Sequence, residues 1–164
     1  HDSHQVLLLM TENIDVNFCS PNGLTLLHKC CIGDNLRAAE TLLANGADIN
    51  AQDSDGWTPL HFSCQLDRVD IVQLLLSNGA DCCILDVDGN FAVDHAPQGS
   101  FSLYYIQKHL QDLGIDQDQL QYFRLEAPRK MLTDVQEMIE MGEDLNRPGE
   151  NGVTMVMHHR WLLR

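Results

Sequence analysis

The stretch Asp53-Ser54-Asp55-Gly56-Trp57-Thr58-Pro59-Leu60-His61 decides the fold. It is a turn running into a helix start. Gly56 provides a residue that takes a positive φ with no Cβ to clash. Thr58 is a candidate N-cap whose hydroxyl accepts a first-turn N–H. Pro59 suits the first helical position, where its missing N–H has no partner to lose. Leu60 then enters the core. Downstream, Ile71, Leu74 and Leu75 fall at helical spacing and face inward. Gly79 closes that helix as a left-handed cap.

The pattern recurs at a step of 33 residues, which aligns Gly23, Gly56 and Gly89, Gly46 with Gly79, and His28 with His61. The copy before the first reads Gly23-Leu24-Thr25-Leu26-Leu27-His28, and Asp15-Val16-Asn17 aligns with Asp48-Ile49-Asn50. This period, with its T-P-L-H element, resembles the ankyrin repeat. The resemblance implies an all-α solenoid of helix pairs with β-hairpin loops, interrupted here by a helical spacer. It also implies that His61 ties neighbouring repeats together by hydrogen bonds.

The repeats occupy residues 1–96: a partial one to 17, full ones at 18–50 and 51–83, and a third start at 84–96 that decays. Phe91 stands where Thr58 would, and Asp94 where His61 would, so the third helix start should be weaker. Residues 97–130 read as a helical spacer. Leu103, Ile106, Leu110 and Leu113 mark one amphipathic helix ending at Gly114. A second helix should begin at Asp116 or Asp118 and stop before Pro128. In residues 131–164 the repeat resumes: Leu132, Val135, Met138 and Ile139 suit a second repeat helix, and Gly142-Glu143-Asp144-Leu145-Asn146 matches Gly46-Ala47-Asp48-Ile49-Asn50. A further start at Gly152 runs into a divergent end, expected to be poorly ordered or loosely docked.

The net charge of −14 argues against nucleic acid, which needs clustered Lys and Arg. An acidic face favours basic protein segments, and the same charge also serves solubility. Six cysteines include two adjacent doublets and no C-x-x-C pair, a poor spacing for zinc. Cys31 and Cys64 keep the 33-residue step at a small core position. No apolar run reaches the ~20 residues of a membrane span. Reduced thiols in a cytoplasmic or nuclear setting are expected, with membrane association only through parts outside this chain. The chain opens at His1 without Met and reads as a piece of a longer protein.

The array, spacer and resumption together resemble the myosin phosphatase targeting subunits, ankyrin-containing regulatory subunits of protein phosphatase 1. The match is carried by Asp86-Val87-Asp88-Gly89-Asn90 followed by Asp94, by Leu113-Gly114-Ile115-Asp116 and by Met131-Leu132-Thr133-Asp134. The Asp88-Gly89-Asn90 and Gly114-Ile115 wording is closer to the membrane-tethered, prenylated branch. The resemblance implies a chain that holds the phosphatase catalytic subunit and directs its substrate choice. Two family features are missing from this sequence: the upstream docking motif of R/K-V-x-F type and the prenylation box. A generic ankyrin adaptor for a different signalling or cytoskeletal protein is the alternative.

Partner contacts are expected at hairpin tips and on the exposed side of the first helices: Asp53, Asp55, Trp57, Phe62, Gln65, Asp67, Asp86 and Asp88. From residue 41 to 96 nine Asp residues accompany a single Lys or Arg, Arg68. Trp57 and Phe62 are the candidate apolar anchors in that acidic field. The remaining repeat residues, Gly23, Thr25, His28, Gly46, Gly56, Thr58, Pro59, His61, Gly79 and Gly89, are expected to be structural. No catalytic residue, metal ligand or cofactor is expected, because phosphate loops, serine elbows and calcium-loop spacing are all missing.

Overall fold

The computed structural model describes residues 4, 8, 11–140 and 142, except the side chains of 127, 131 and 138. Residues 4, 8 and 11 are helical, and after them come the helices α1 (Leu26–Ile32), α2 (Leu36–Ala44), α3 (Pro59–Gln65), α4 (Val69–Ser77), α5 (Ala92–His95), α6 (Phe101–Asp112) and α7 (Gln117–Glu140). α1 packs on α2 and α3, and α3 packs on α4 and α5. α2 packs on α4, and α4 on α6. The result is an all-α solenoid with an inner row α1–α3–α5 and an outer row α2–α4–α6. Leu27, Leu42, Leu60, Ile71, Leu75 and Ile106 fill the space between the rows. Cys31 and Cys64 lie in that core, and burial pushes the Cys31 thiol up to about 12.

The repeat residues act as their chemistry requires. The hydroxyls of Thr25 and Thr58 accept the backbone N–H of His28 and His61, each at 3.3 Å. In return each imidazole Nδ1 accepts the backbone N–H of its threonine, at 3.1 and 3.2 Å. An Nδ1 that accepts an N–H carries no proton, so Nε2 is the protonated nitrogen. That Nε2–H donates to the next repeat: His28 to the Trp57 carbonyl at 2.8 Å, His61 to the Asn90 carbonyl at 3.1 Å. One side chain thereby closes its own helix start and joins two repeats.

Among the described residues the loops turn as expected but carry no strand ladder. Among the described residues the one bridge is Cys19–Thr25. The donors a ladder would use are taken by aspartate instead: Asp53 Oδ1 accepts the N–H of Asp55 and Trp57, and Asp86 Oδ1 those of Asp88 and Asn90. Successive tips are stitched by Ser54 N–H to the Asn22 carbonyl and Val87 N–H to the Asp55 carbonyl. At the opposite edge the Asp48 N–H reaches Asn17 Oδ1 and the Asp81 N–H reaches Asn50 Oδ1. The next residue at this step is Cys83, which has no amide oxygen to offer, so this ladder stops there.

The helix of the third repeat, Ala92–His95, has four residues; Phe91 offers no side-chain cap there, but Asp94 still accepts the Phe91 N–H. The expected stop before Pro128 does not occur, and α7 runs through it to Glu140. An internal proline forfeits one backbone bond and costs about 3 kcal/mol. Strong helix formers on both sides, Leu125-Glu126-Ala127 and Arg129-Lys130-Met131-Leu132, offset that loss. Asp116 starts this helix, accepting the Gln119 N–H at 2.8 Å. Leu132 and Ile139, read as repeat-helix residues, lie on it and are exposed. Gly142 has φ +72°. The rest of the expected resumption at Glu143–Asn146, the start at Gly152 and the divergent end lie outside the described residues.

Candidate protein-binding face

The 33-residue step lines up Lys29, Phe62 and His95 on α1, α3 and α5. Lys29 is exposed, while Phe62 and His95 are half-buried. Trp57 leaves its turn to lie among these rings, with its centroid 4.8 Å from Phe62, 4.3 Å from His95 and 5.8 Å from His61. Phe62 meets His28 edge-on at 5.8 Å. A partly open aromatic patch thus spans the second and third repeats. Asp55 and Asp88 stand exposed at the tips beside it, and Gln65 is exposed at the end of α3.

Two of the expected contact acids are not available on the surface. Asp53 and Asp86 are only 5% and 0% exposed. Their carboxylates turn inward because each is the acceptor that shapes its own turn. Asp67 is exposed, with φ +51°, and its Oδ1 also accepts the Ser102 N–H at 3.0 Å, tying the α3–α4 loop to the start of α6. The open part of the face is therefore Asp55, Trp57, Phe62, Gln65, Asp67 and Asp88.

The two buried acids differ electrostatically. Burial pushes Asp53 up to about 6, against the pull of the Trp57 and Asp55 N–H groups, and the charges of Asp55 and Asp86 add to the rise. Burial acts on Asp86 in the same sense, but the hydrogen bond from His95 and the Asn90 N–H outweigh it and hold Asp86 below the usual range. His95 Nε2 lies 2.7 Å from Asp86 Oδ2. The sequence showed that His95 follows Asp94, but not that it pairs with an acid nine residues earlier across a turn.

His61, Asp86 and His95 bring three ligand-capable atoms within 4.8 Å of one another. Both nitrogens of His61 are already used, one by Thr58 and one by the Asn90 carbonyl. Metal binding would have to break the joint between the second and third repeats. Burial lowers the His61 pKa, which keeps that ring neutral and suited to its structural bonds. This face offers flat, half-buried aromatic rings bordered by carboxylates. The sequence model of the family described as ankyrin repeats (3 copies) matches residues 1–86.

Proposed function

This chain belongs to the ankyrin-repeat family, and from that premise we propose that it is a regulatory, targeting subunit that holds the catalytic subunit of protein phosphatase 1. Ankyrin repeats make the chain a protein-interaction adaptor, and the choice of phosphatase as partner is the further step. The reading is supported by the resemblance of the array, the helical spacer and the resumed repeat pattern to phosphatase targeting subunits, and the helices α6 and α7 that follow the third repeat are consistent with the spacer part of it. A basic segment of the partner lies across Trp57 and Phe62, with the exposed carboxylates of Asp55 and Asp88 around it. Rings of this kind supply the apolar anchor, and the charges steer the encounter. The phosphatase does the chemistry, and the solenoid reshapes which substrates reach it.

The test measures association of purified phosphatase catalytic subunit with this chain and with a form carrying an added upstream R/K-V-x-F segment. The extended form is expected to bind. Trp57→Ala with Phe62→Ala in that form should weaken binding at least about tenfold, the scale of a lost hot spot. No association of either form at low salt makes the chain an adaptor for a different protein.

A further inference from the structure

The end of α7 is built like the end of an outer-row helix. Gly142 has φ +72°, where Gly46 and Gly79 have +86° and +83°. Its N–H donates to the Ile139 carbonyl at 3.1 Å, as those of Gly46 and Gly79 donate to the Leu43 and Leu76 carbonyls at 3.2 Å. α2 and α4 end two residues before their glycine, at Ala44 and Ser77, and α7 ends two before Gly142, at Glu140. Aligned on that glycine, residues 132–140 take the place of α2 and α4, and residues 122–128 the place of α1 and α3. The turn between such helices would fall at 129–131. In the first two repeats that turn holds Asp34 and Asp67, with φ +55° and +51°. Lys130 stands at the same position inside a continuous helix. α7 is therefore a helix pair opened out into one rod of about 36 Å.

The opened rod leaves an apolar face uncovered. Leu120 and Arg124 seat its first half on the third repeat. Beyond them Leu125, Leu132 and Ile139 are 67%, 60% and 61% exposed. They stand seven residues apart, which puts them on one side of the helix. We propose that this face joins two copies of this chain, with α7 of one lying antiparallel on α7 of the other. The inner-type half of each rod then meets the outer-type half of the other, and the helix pair closes between chains instead of within one. Exchange of an element in this way is a low-cost route to a dimer. Charge sets the direction. Residues 125–131 hold Arg129 and Lys130 against Glu126, while residues 132–140 hold Asp134, Glu137 and Glu140 and no base. Antiparallel rods place the basic pair of each beside the acidic half of the other, whereas parallel rods set like against like. Contact from Leu125 to Ile139 covers about 21 Å of helix and buries on the order of 1,000 Å², the low end for a specific interface. A dimer with a dissociation constant on the order of tens of micromolar is expected. Nothing in this depends on the phosphatase reading.

The test is sedimentation velocity of the whole chain from about 5 to about 500 μM, at about 0.15 M salt to screen the repulsion between two acidic chains. The parent should pass from monomer to dimer over that range. Leu132→Glu with Ile139→Glu should leave it monomeric throughout, with the helix signal in circular dichroism unchanged. Arg129→Glu with Lys130→Glu, and separately Glu137→Lys with Glu140→Lys, should each weaken the dimer at least about tenfold. Mixing these two charge-reversed chains should restore it. A parent that stays monomeric overturns the proposal, including the case in which residues 143–164 cover the face within one chain. A dimer that survives Leu132→Glu with Ile139→Glu overturns it too, since another surface is then responsible. Charge-reversed chains that each dimerise like the parent, or that fail to associate when mixed, overturn the antiparallel pairing.

Discussion

Asp94 Oδ2 accepts two hydrogen bonds, from the Phe91 N–H at 2.8 Å and from Arg124 Nη2 at 2.7 Å. The position is that of His61 and His28, one and two repeats earlier. Those imidazoles accept from the N-cap N–H with one nitrogen and donate onward with the other. A carboxylate can do the first task but cannot donate, so the onward joint must come from a donor on the next element. Arg124 provides it, and its guanidinium also donates to the Gly89 carbonyl at 3.1 Å and lies 5.1 Å from the centre of the Phe91 ring. The substitution that weakens the third repeat is thus matched by the residue that seats α7 on it.

Arg124→Ala should free α7 while leaving the repeats intact. The ion pair is partly exposed, at 29% and 35%, and contributes modestly alone. The carbonyl bond and ring contact bring the joint loss to about 1–2 kcal/mol. Hydrogen exchange across residues 117–140 should rise several-fold, with α1 to α4 unchanged. Arg124→Lys should fall between, since an ammonium cannot make the planar contacts together. Unchanged exchange would mean that buried Leu120 seats the helix without Arg124.

Asp53→Asn and Asp86→Asn should have opposite effects at neutral pH. Asparagine keeps the turn acceptor in both. At Asp86 it weakens the hydrogen bond to His95, at an expected cost of about 1–2 kcal/mol. At Asp53 it removes a buried charge that makes no ion pair among the described residues, so stability should hold or rise. The sign of the pH effect follows from linkage. The folded-state value of Asp53 is raised to about 6, so the folded chain holds this proton more tightly than the unfolded one. Its contribution is favourable below about 4 and is lost as pH rises through 6. The advantage of Asp53→Asn should therefore appear above pH 6 and vanish near pH 4 in urea titrations.

How much of this was legible in the sequence differs from residue to residue. Thr58, Pro59, His61 and Gly56 were readable because each task is local and repeats at one period. Asp53 and Asp86 were read as surface tips because a turn aspartate looks the same whether it faces the solvent or its own backbone. That choice depends on two N–H groups that converge only once the turn is closed. The joint of Arg124 with Asp94 spans 30 residues and breaks the repeat period, so no pattern announced it. Pro128 misled because a rule about one lost backbone bond was set against the propensity of a whole 24-residue helix.

His61→Ala should destabilise by about 2–4 kcal/mol, because the buried Thr58 N–H and the Asn90 carbonyl both lose their partner. The pH dependence has the opposite sign to that of Asp53. Burial lowers the pKa of His61 and of His28, so the unfolded chain takes up these protons more readily. Their stabilisation is complete above about 6.5 and declines as pH falls below it. The parent should lose stability over that range, and His61→Ala should lose less. An equal slope in the two chains would mean that His61 does not titrate on unfolding.

Gly56→Ala should be far more damaging than Gly79→Ala, although both glycines have positive φ, +76° and +83°. The conformational cost alone is about 1 kcal/mol and is common to both. At Gly79 an added Cβ meets nothing within 4 Å. At Gly56 it would come within 3.0 Å of Asp86 Cα and Val87 N, which are backbone atoms of the next turn. The neighbour cannot rotate away, and moving it strains the Val87 N–H bond to the Asp55 carbonyl and the turn that presents Asp88. An extra 1–3 kcal/mol, the usual cost of overpacking, is expected for Gly56→Ala. Paired thermal melts decide it: a drop for Gly56→Ala no larger than for Gly79→Ala would show that the tips are not stacked this closely in solution.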